Sequence, residues 1–208
     1  MTLLDKDIRE PLFDWLEEKY GRIRILEEKE TGRSRADAVM VTENSLYGIE
    51  IKSDADSYAR LKRQVRDYSR FYDYCYIAVG STHAMHVAEH VPYWWGIISV
   101  ELYQNKIDFY LVRPPERNEE CSIENKLSLL WRPELAVIQE RFGMHAYKEK
   151  SKAFVQEKIL QTLDRGELDS EISRTLFERD YTQISRQINE YRRTKGKRAR
   201  RKPPKRRK

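Results

Sequence analysis

The chain lacks what a covalent or membrane-embedded framework would need. Its 208 residues include two isolated cysteines, Cys75 and Cys121, which support neither a disulfide framework nor a zinc cluster. No apolar run approaches the roughly 18–20 residues of a membrane span, and the opening MTLLDKDIRE has no secretory signal pattern. Internal repeats and heptad arrays are absent. Hydrophobic residues make up only 39%, yet four Trp and thirteen Tyr can still build a core. The expectation is a soluble cytoplasmic protein with no membrane partner, of a length for one compact domain with at most a small appendage.

Basic charge is also missing from most of the chain, although the net charge is +6. Twelve of the 40 Lys and Arg fall in Arg192–Lys208, a stretch without one acid, which leaves 28 cations against 34 acids over residues 1–191. The body is therefore mildly acidic. Blocks of one charge are usually disordered arms that meet a polyanion. Arg192, Arg193, Lys195, Lys197, Arg198, Arg200, Arg201 and Lys202 are accordingly expected to bind nucleic acid. They would read phosphate, not sequence.

Hydrophobic spacing predicts a helix over 6–20 with Asp5 as N-cap, extended segments at 22–28, 35–42 and 45–52, and a helix over 55–72. A strand at Cys75–Val79, a short helix near 82–90, and strands at Trp94–Val100 and Ile107–Val112 follow. This order describes an α/β protein, a mixed sheet flanked by helices. Pro114-Pro115 and the polar run after it mark a boundary near 115–121. Beyond it the chain reads as a small all-helical region to 191, with helices at 133–142, 151–164, 169–177 and 181–193, and then the tail.

The stretch from Arg35 to Lys52 carries chemistry. If two strands pair about the turn Glu43-Asn44, facing residues sum to 87, so Val41 meets Leu46, Val39 meets Gly48 and Asp37 meets Glu50. Side chains alternate along a strand, which puts Lys52 on the same face as the two acids. Opposed carboxylates repel unless a cation lies between them. A divalent metal would do so, with Asp37, Glu50 and the Ile51 carbonyl as oxygen ligands. Lys52 would then orient the attacking water, and Gly48 would leave room for a backbone or phosphate. Other Glu-x-Lys triplets, such as Glu27-x-Lys29, have no acidic hairpin partner.

Asp37 followed by Glu50-Ile51-Lys52, then a helix and a buried strand, resembles the PD-(D/E)XK, or restriction-endonuclease-like, nuclease superfamily. Gln64 and Tyr68 at i and i+4 resemble the Gln-x-x-x-Tyr pair of its RecB-like members. Ala36 stands where the superfamily has Pro. The resemblance covers about residues 5–112. It implies a restriction-endonuclease-like core over 1–115, Mg²⁺ or Mn²⁺ as cofactor, and Asp37, Glu50, Lys52, Gln64 and Tyr68 as catalytic residues. RecB-like members carry an earlier acid or His, for which Asp7 and Glu10 are candidates, with Arg9 beside them as a phosphate contact.

Two further segments bear on partners. Arg63 and Arg66, on the basic outer surface of the 55–72 helix, are candidate nucleic-acid contacts. Residues 169–191 resemble a helix-turn-helix with Ile172, Leu176, Ile184 and Ile188 as core, and Gln183 and Arg186 projecting toward DNA. The expected function is a metal-dependent deoxyribonuclease, an endonuclease that as a homodimer could reach both strands. A catalytically idle DNA-binding adaptor and a nuclease acting on RNA are the alternatives.

Overall fold

A computed structural model describes residues 3–104, 106–181 and 186. The order is α1 (Asp5–Tyr20), β1 (Arg24–Thr31), β2 (Ser34–Val41), β3 (Leu46–Lys52), α2 (Leu61–Tyr68), β4 (Tyr74–Gly80), α3 (Ser81–Ala84), β5 (Gly96–Tyr103), β6 (Lys106–Arg113), α4 (Ile123–Ser128), α5 (Arg132–Arg141), α6 (Lys152–Thr162) and α7 (Arg165–Phe177). The six strands form one sheet in sequence order. β3–β4 and β4–β5 are parallel, and the other neighbours are antiparallel. The protein is thus mixed α/β, an open sheet flanked by helices.

Alternation along the strands sorts the core into two layers. Ala38, Met40, Ile49, Ile51, Ala78 and Ile98 face Ile8, Leu12 and Leu16 of α1, which recur at helical spacing. Val39, Val41, Leu46, Ile77, Val79 and Ile97 face the other way, toward Leu61 and Tyr68 of α2. That second layer continues into Leu127, Leu135, Ile138, Val155, Ile159, Leu168, Ile172 and Leu176. The apolar core is therefore continuous across residues 115–121. Ile172 and Leu176, expected in a helix-turn-helix core, lie in this shared core, while Ile184 and Ile188 are outside the described residues.

Several boundaries differ from the sequence expectation. Asp5 is the first residue of α1, not its cap; the Asp7 carboxylate instead accepts the Leu4 N–H at 3.0 Å. The helix expected over 55–72 begins only at Leu61, because acids before it bond elsewhere. Asp56 accepts the Ser53 N–H and hydroxyl at 2.8 and 2.7 Å, and Asp54 accepts the Thr82 hydroxyl. Such side-chain bonds give the backbone an alternative to the helix. The expected 82–90 helix breaks into α3 and a 3₁₀ turn at Val87–Glu89. The His83 and His90 rings pack on Tyr58, and His86 is exposed.

Gly48 also has a different role from the one expected. A Cβ there would lie 2.3 Å from the Tyr72 ring and 3.0 Å from that of Tyr68. The glycine admits two aromatic rings against β3, not a substrate. Overpacking of this kind typically costs about 1–3 kcal/mol. Gly48→Ala should lower the urea midpoint accordingly with an unchanged m-value, and an unaltered midpoint would show that the β3–α2 contact yields freely.

Candidate active site

The β2–β3 ladder has the expected register, Val41 with Leu46 through Ala38 with Ile49, and stops there. Asp37 and Glu50 are the next residues on each strand. Asp37 also interrupts pairing on its other side, where β1 pairs Glu27 with Ala38 and Lys29 with Ala36 but skips Glu28. Glu28 has a positive φ of 51°. At this point both strands turn over. Val39 and Val41 belong to the α2-side core before the break, and Ala36 belongs to it after, although strict alternation would put Ala36 opposite. Asp37 therefore sits at a pivot, with its carboxylate lying across the end of β3.

Glu50 is fully buried. Its Oε1 accepts hydrogen bonds from Lys52 Nζ and from Gln64 Nε2, the latter at 2.5 Å, and its Oε2 accepts the Tyr68 hydroxyl at 2.5 Å. Lys52, Gln64 and Tyr68 are buried as well. A carboxylate taken out of water without such partners would cost several kcal/mol. Burial first, and then the charges of Glu50 and Asp37, hold the Tyr68 phenol well above its ordinary range, so it remains a donor. Across the gap, Asp37 Oδ2 accepts the Ile51 N–H at 2.8 Å. Burial and then the like charge of Glu50 push the Asp37 carboxyl up to about 7, against the Ile51 hydrogen bond and the Lys52 charge.

Arg9 fixes Asp37 from α1. Its guanidinium donates to Asp5, Glu27, Glu28 and the Asp37 carbonyl at 2.8–3.3 Å and lies 3.7 Å from Asp37 Oδ1. With four of about five N–H donors engaged, Arg9 is an anchor for the pivot, not a free phosphate contact.

The donors fit a divalent cation of the magnesium type. A carboxylate offers about four lone-pair directions; Glu50 uses three, leaving one on Oε2. Among the described residues Asp37 Oδ1 faces only the Arg9 guanidinium, at 3.7 Å, and the buried Oε1 of Gln64 has no hydrogen-bond partner. The N–H and C=O of an extended residue point to the same neighbour, so the Ile51 carbonyl is aimed at the gap that β2 has left. Among the described residues no three His, Cys, Asp or Glu side chains are grouped to hold a metal. Two carboxylates and a carbonyl suit an ion that keeps much of its water, and not structural zinc. These groups line a cleft of about 750 Å³.

Known proteins can be compared with this arrangement. Residues 2–201 match the family described as Bacteriophage P4 protein cII. The chain belongs to that family. No curated protein matches it. Among solved structures, a Silicibacter pomeroyi protein of unknown function, SPO1766, is similar over 64% of this chain and 89% of its own, with 20% identity and a TM-score of 0.41. Pyrococcus furiosus SfsA in complex with Ca²⁺ is similar over 53% of this chain and 63% of its own, with 14% identity and a TM-score of 0.35. Likenesses this partial carry no statement about function.

The structure brings Asp37, Glu50, Ile51, Lys52, Gln64 and Tyr68 together and adds Arg9 beside them. Asp7 and Glu10 lie on the exposed side of α1, away from the cleft. Arg63 lines the cleft and Arg66 is exposed outside it. Arg186 is helical and exposed. Gln183, Arg192, Arg193, Lys195, Lys197, Arg198, Arg200, Arg201 and Lys202 lie outside the described residues. Asp5, Glu28 and Arg33 also line the cleft, and the sequence had not marked them as site residues. Only the spacing of Asp5 and Arg9, i and i+4 on a helix, could have announced one of them.

The raised Asp37 pKa has a consequence for stability. Its folded value of about 7 lies above the unfolded value near 3.8. The stabilisation is therefore fully present below pH ~4 and is lost as pH rises through 7. In metal-free protein, Asp37→Asn should gain on wild type across that window, by up to about 4 kcal/mol. Chemical denaturation at pH 4.5 and 7.5 measures it, and a constant difference would contradict the pair's geometry.

Proposed function

We propose that the chain is a divalent-metal-dependent nuclease that hydrolyses phosphodiester bonds in DNA, as an endonuclease. One observation carries the reading. Asp37 and Glu50 meet where the β2–β3 ladder ends, and Lys52, Gln64 and Tyr68 saturate the buried side of Glu50. The two carboxylates are brought together on the floor of the cleft, with oxygens left over on its open side. Asp37, Glu50 and the Ile51 carbonyl would hold a divalent ion, which would supply water of lowered pKa and offset phosphate charge. The chain's own residues do the rest. Lys52 lies at the buried end of the cleft, where its ammonium can orient the attacking water and stabilise charge growing on the phosphoryl oxygens. Gln64 and Tyr68 hold Glu50 in one rotamer, and Arg9 holds the Asp37 backbone. The basic run 192–208, outside the described residues, is suited to capturing substrate by its phosphates.

A second reading has its own support. Glu50 Oε1 is shared by Lys52 and Gln64, and among the described residues no third acidic side chain is grouped with the pair, as an idle nuclease-fold DNA-binding protein would allow. Cleavage decides. With Mg²⁺ or Mn²⁺, wild type should cut both circular and linear duplex, and chelation should stop it. Asp37→Asn and Lys52→Gln, compared at equal folded fraction, should slow cleavage by about 100-fold or more. Equal rates for all three proteins would defeat the assignment. RNA that is cut in preference to DNA in the same reaction would reassign the substrate.

A further inference from the structure

The cleft has a basic rim that no part of the hydrolytic centre uses. Arg33, Arg60 and Arg63 line it, all three are exposed, and none has an ion-pair partner among the described residues. Arg35 also lines the cleft but is tied to Glu28 at 2.5 Å.

The three free arginines come from two elements that are joined by one buried side chain. The β1–β2 hairpin closes with Thr31 opposite Ser34, so Gly32-Arg33 is its tip. Asp67 of α2 is 4% exposed and accepts the Arg33 N–H at 3.2 Å and the Ser34 hydroxyl at 2.6 Å. Gly32 has φ +61°, and a Cβ there would press on the Asp67 carboxylate at 3.3 Å. The tip is thereby fastened to the helix. Arg60, Arg63, Gln64 and Asp67 fall at i, i+3, i+4 and i+7, one face of α2. The fastened tip thus puts Arg33 along the same edge as Arg60 and Arg63.

This placement works against local stability. Arg60 is the N-cap of α2 and Lys62 and Arg63 are in its first turn, with no acid there and no side-chain cap. Cations at a helix N-terminus oppose its dipole, and like charges at i and i+3 repel. A bound anion would reverse both effects. Local rules broken without compensation are expected at functional sites. The rim also borders the hydrolytic centre directly, because Arg60 and Arg63 share a face of α2 with Gln64, whose Nε2 donates to Glu50, and all of them line the cleft.

We propose that Arg33, Arg60 and Arg63 form a phosphate-binding rim that grips the DNA strand beside the bond presented to Asp37 and Glu50. The proposal rests on the nuclease reading for the bond but not for the grip. Arg66, assigned to nucleic acid from sequence, lies outside the rim, as do Lys62 and Arg70.

Binding of the full chain to short labelled DNA, single-stranded and duplex, is measured in EDTA as a function of salt, so that cleavage plays no part. Replacing Arg33, Arg60 and Arg63 together by Ala should reduce the log–log salt slope by about 2 on single strands and about 3 on duplex. Replacing Lys62, Arg66 and Arg70 removes the same charge and should change the slope by less than about 1. Equal effects of the two triple variants would overturn the rim, as would a loss confined to RNA of the same sequence. Rim-dependent binding by a protein that never cuts would fail the nuclease reading alone. Asp37-dependent cutting with rim-independent binding would fail the rim alone.

Discussion

A carboxylate withdrawn from water must find its hydrogen bonds inside the protein, and Glu50 finds them on two elements at once. Lys52 comes from its own strand, Gln64 and Tyr68 from α2. The bonds fasten the helix to the sheet at the point where β2 and β3 separate. They also explain why the surroundings have so little freedom. Tyr68 must lie flat enough on β3 to reach Glu50, and Trp95 stacks on its other side at 5.5 Å. Gly48 must be glycine for the Tyr68 and Tyr72 rings to approach. Removing one donor would leave a buried acceptor unpaired, a cost of about 1–3 kcal/mol.

Asp37 completes the site by a different device. Its place depends on a break in β1–β2 pairing at Glu28, where both strands change face, and on Arg9 reaching from α1 to hold the carbonyl. Two layers of the protein, α1 on one side of the sheet and α2 on the other, thus converge on one pair of acids. The energetic conflict between those acids is the property that a divalent cation would relieve, and the unpartnered Gln64 oxygen lies beside it. The C-terminal helices stand behind this arrangement. They extend the α2-side core, and Arg24 of β1 donates to the Phe177 and Arg179 carbonyls at the end of α7.

Much of the centre was readable in the sequence because strand period and hairpin register are short-range properties. The sum of 87 places Asp37 against Glu50, and i, i+4 spacing places Gln64 with Tyr68. What escaped was set by side chains competing with the backbone or by distant packing. Asp54 and Asp56 shortened the start of α2 by bonding to Thr82 and Ser53, which no periodicity reports. Gly48 was read as an opening because the rings that fill it come from 20 and 24 residues away. The change of face at Glu28 defeats alternation itself, so the residues after it point opposite to a simple strand reading. Lys126, a charge on a short helix, is buried with Asp73 and Asp169, and this contact helps join the helical region to the sheet.

If Asp37 and Glu50 together hold a divalent cation, the binding is itself measurable. Calorimetric titration of Mn²⁺ into the protein at pH 7, in two buffers of different ionisation enthalpy, tests it without relying on cleavage. Wild type should bind with a measurable release of protons, because burial and the Glu50 charge push the Asp37 carboxyl up to about 7. Glu50→Gln should bind at least ~10-fold more weakly. Equal binding by wild type and Glu50→Gln, or no binding by wild type at millimolar Mn²⁺, would contradict it.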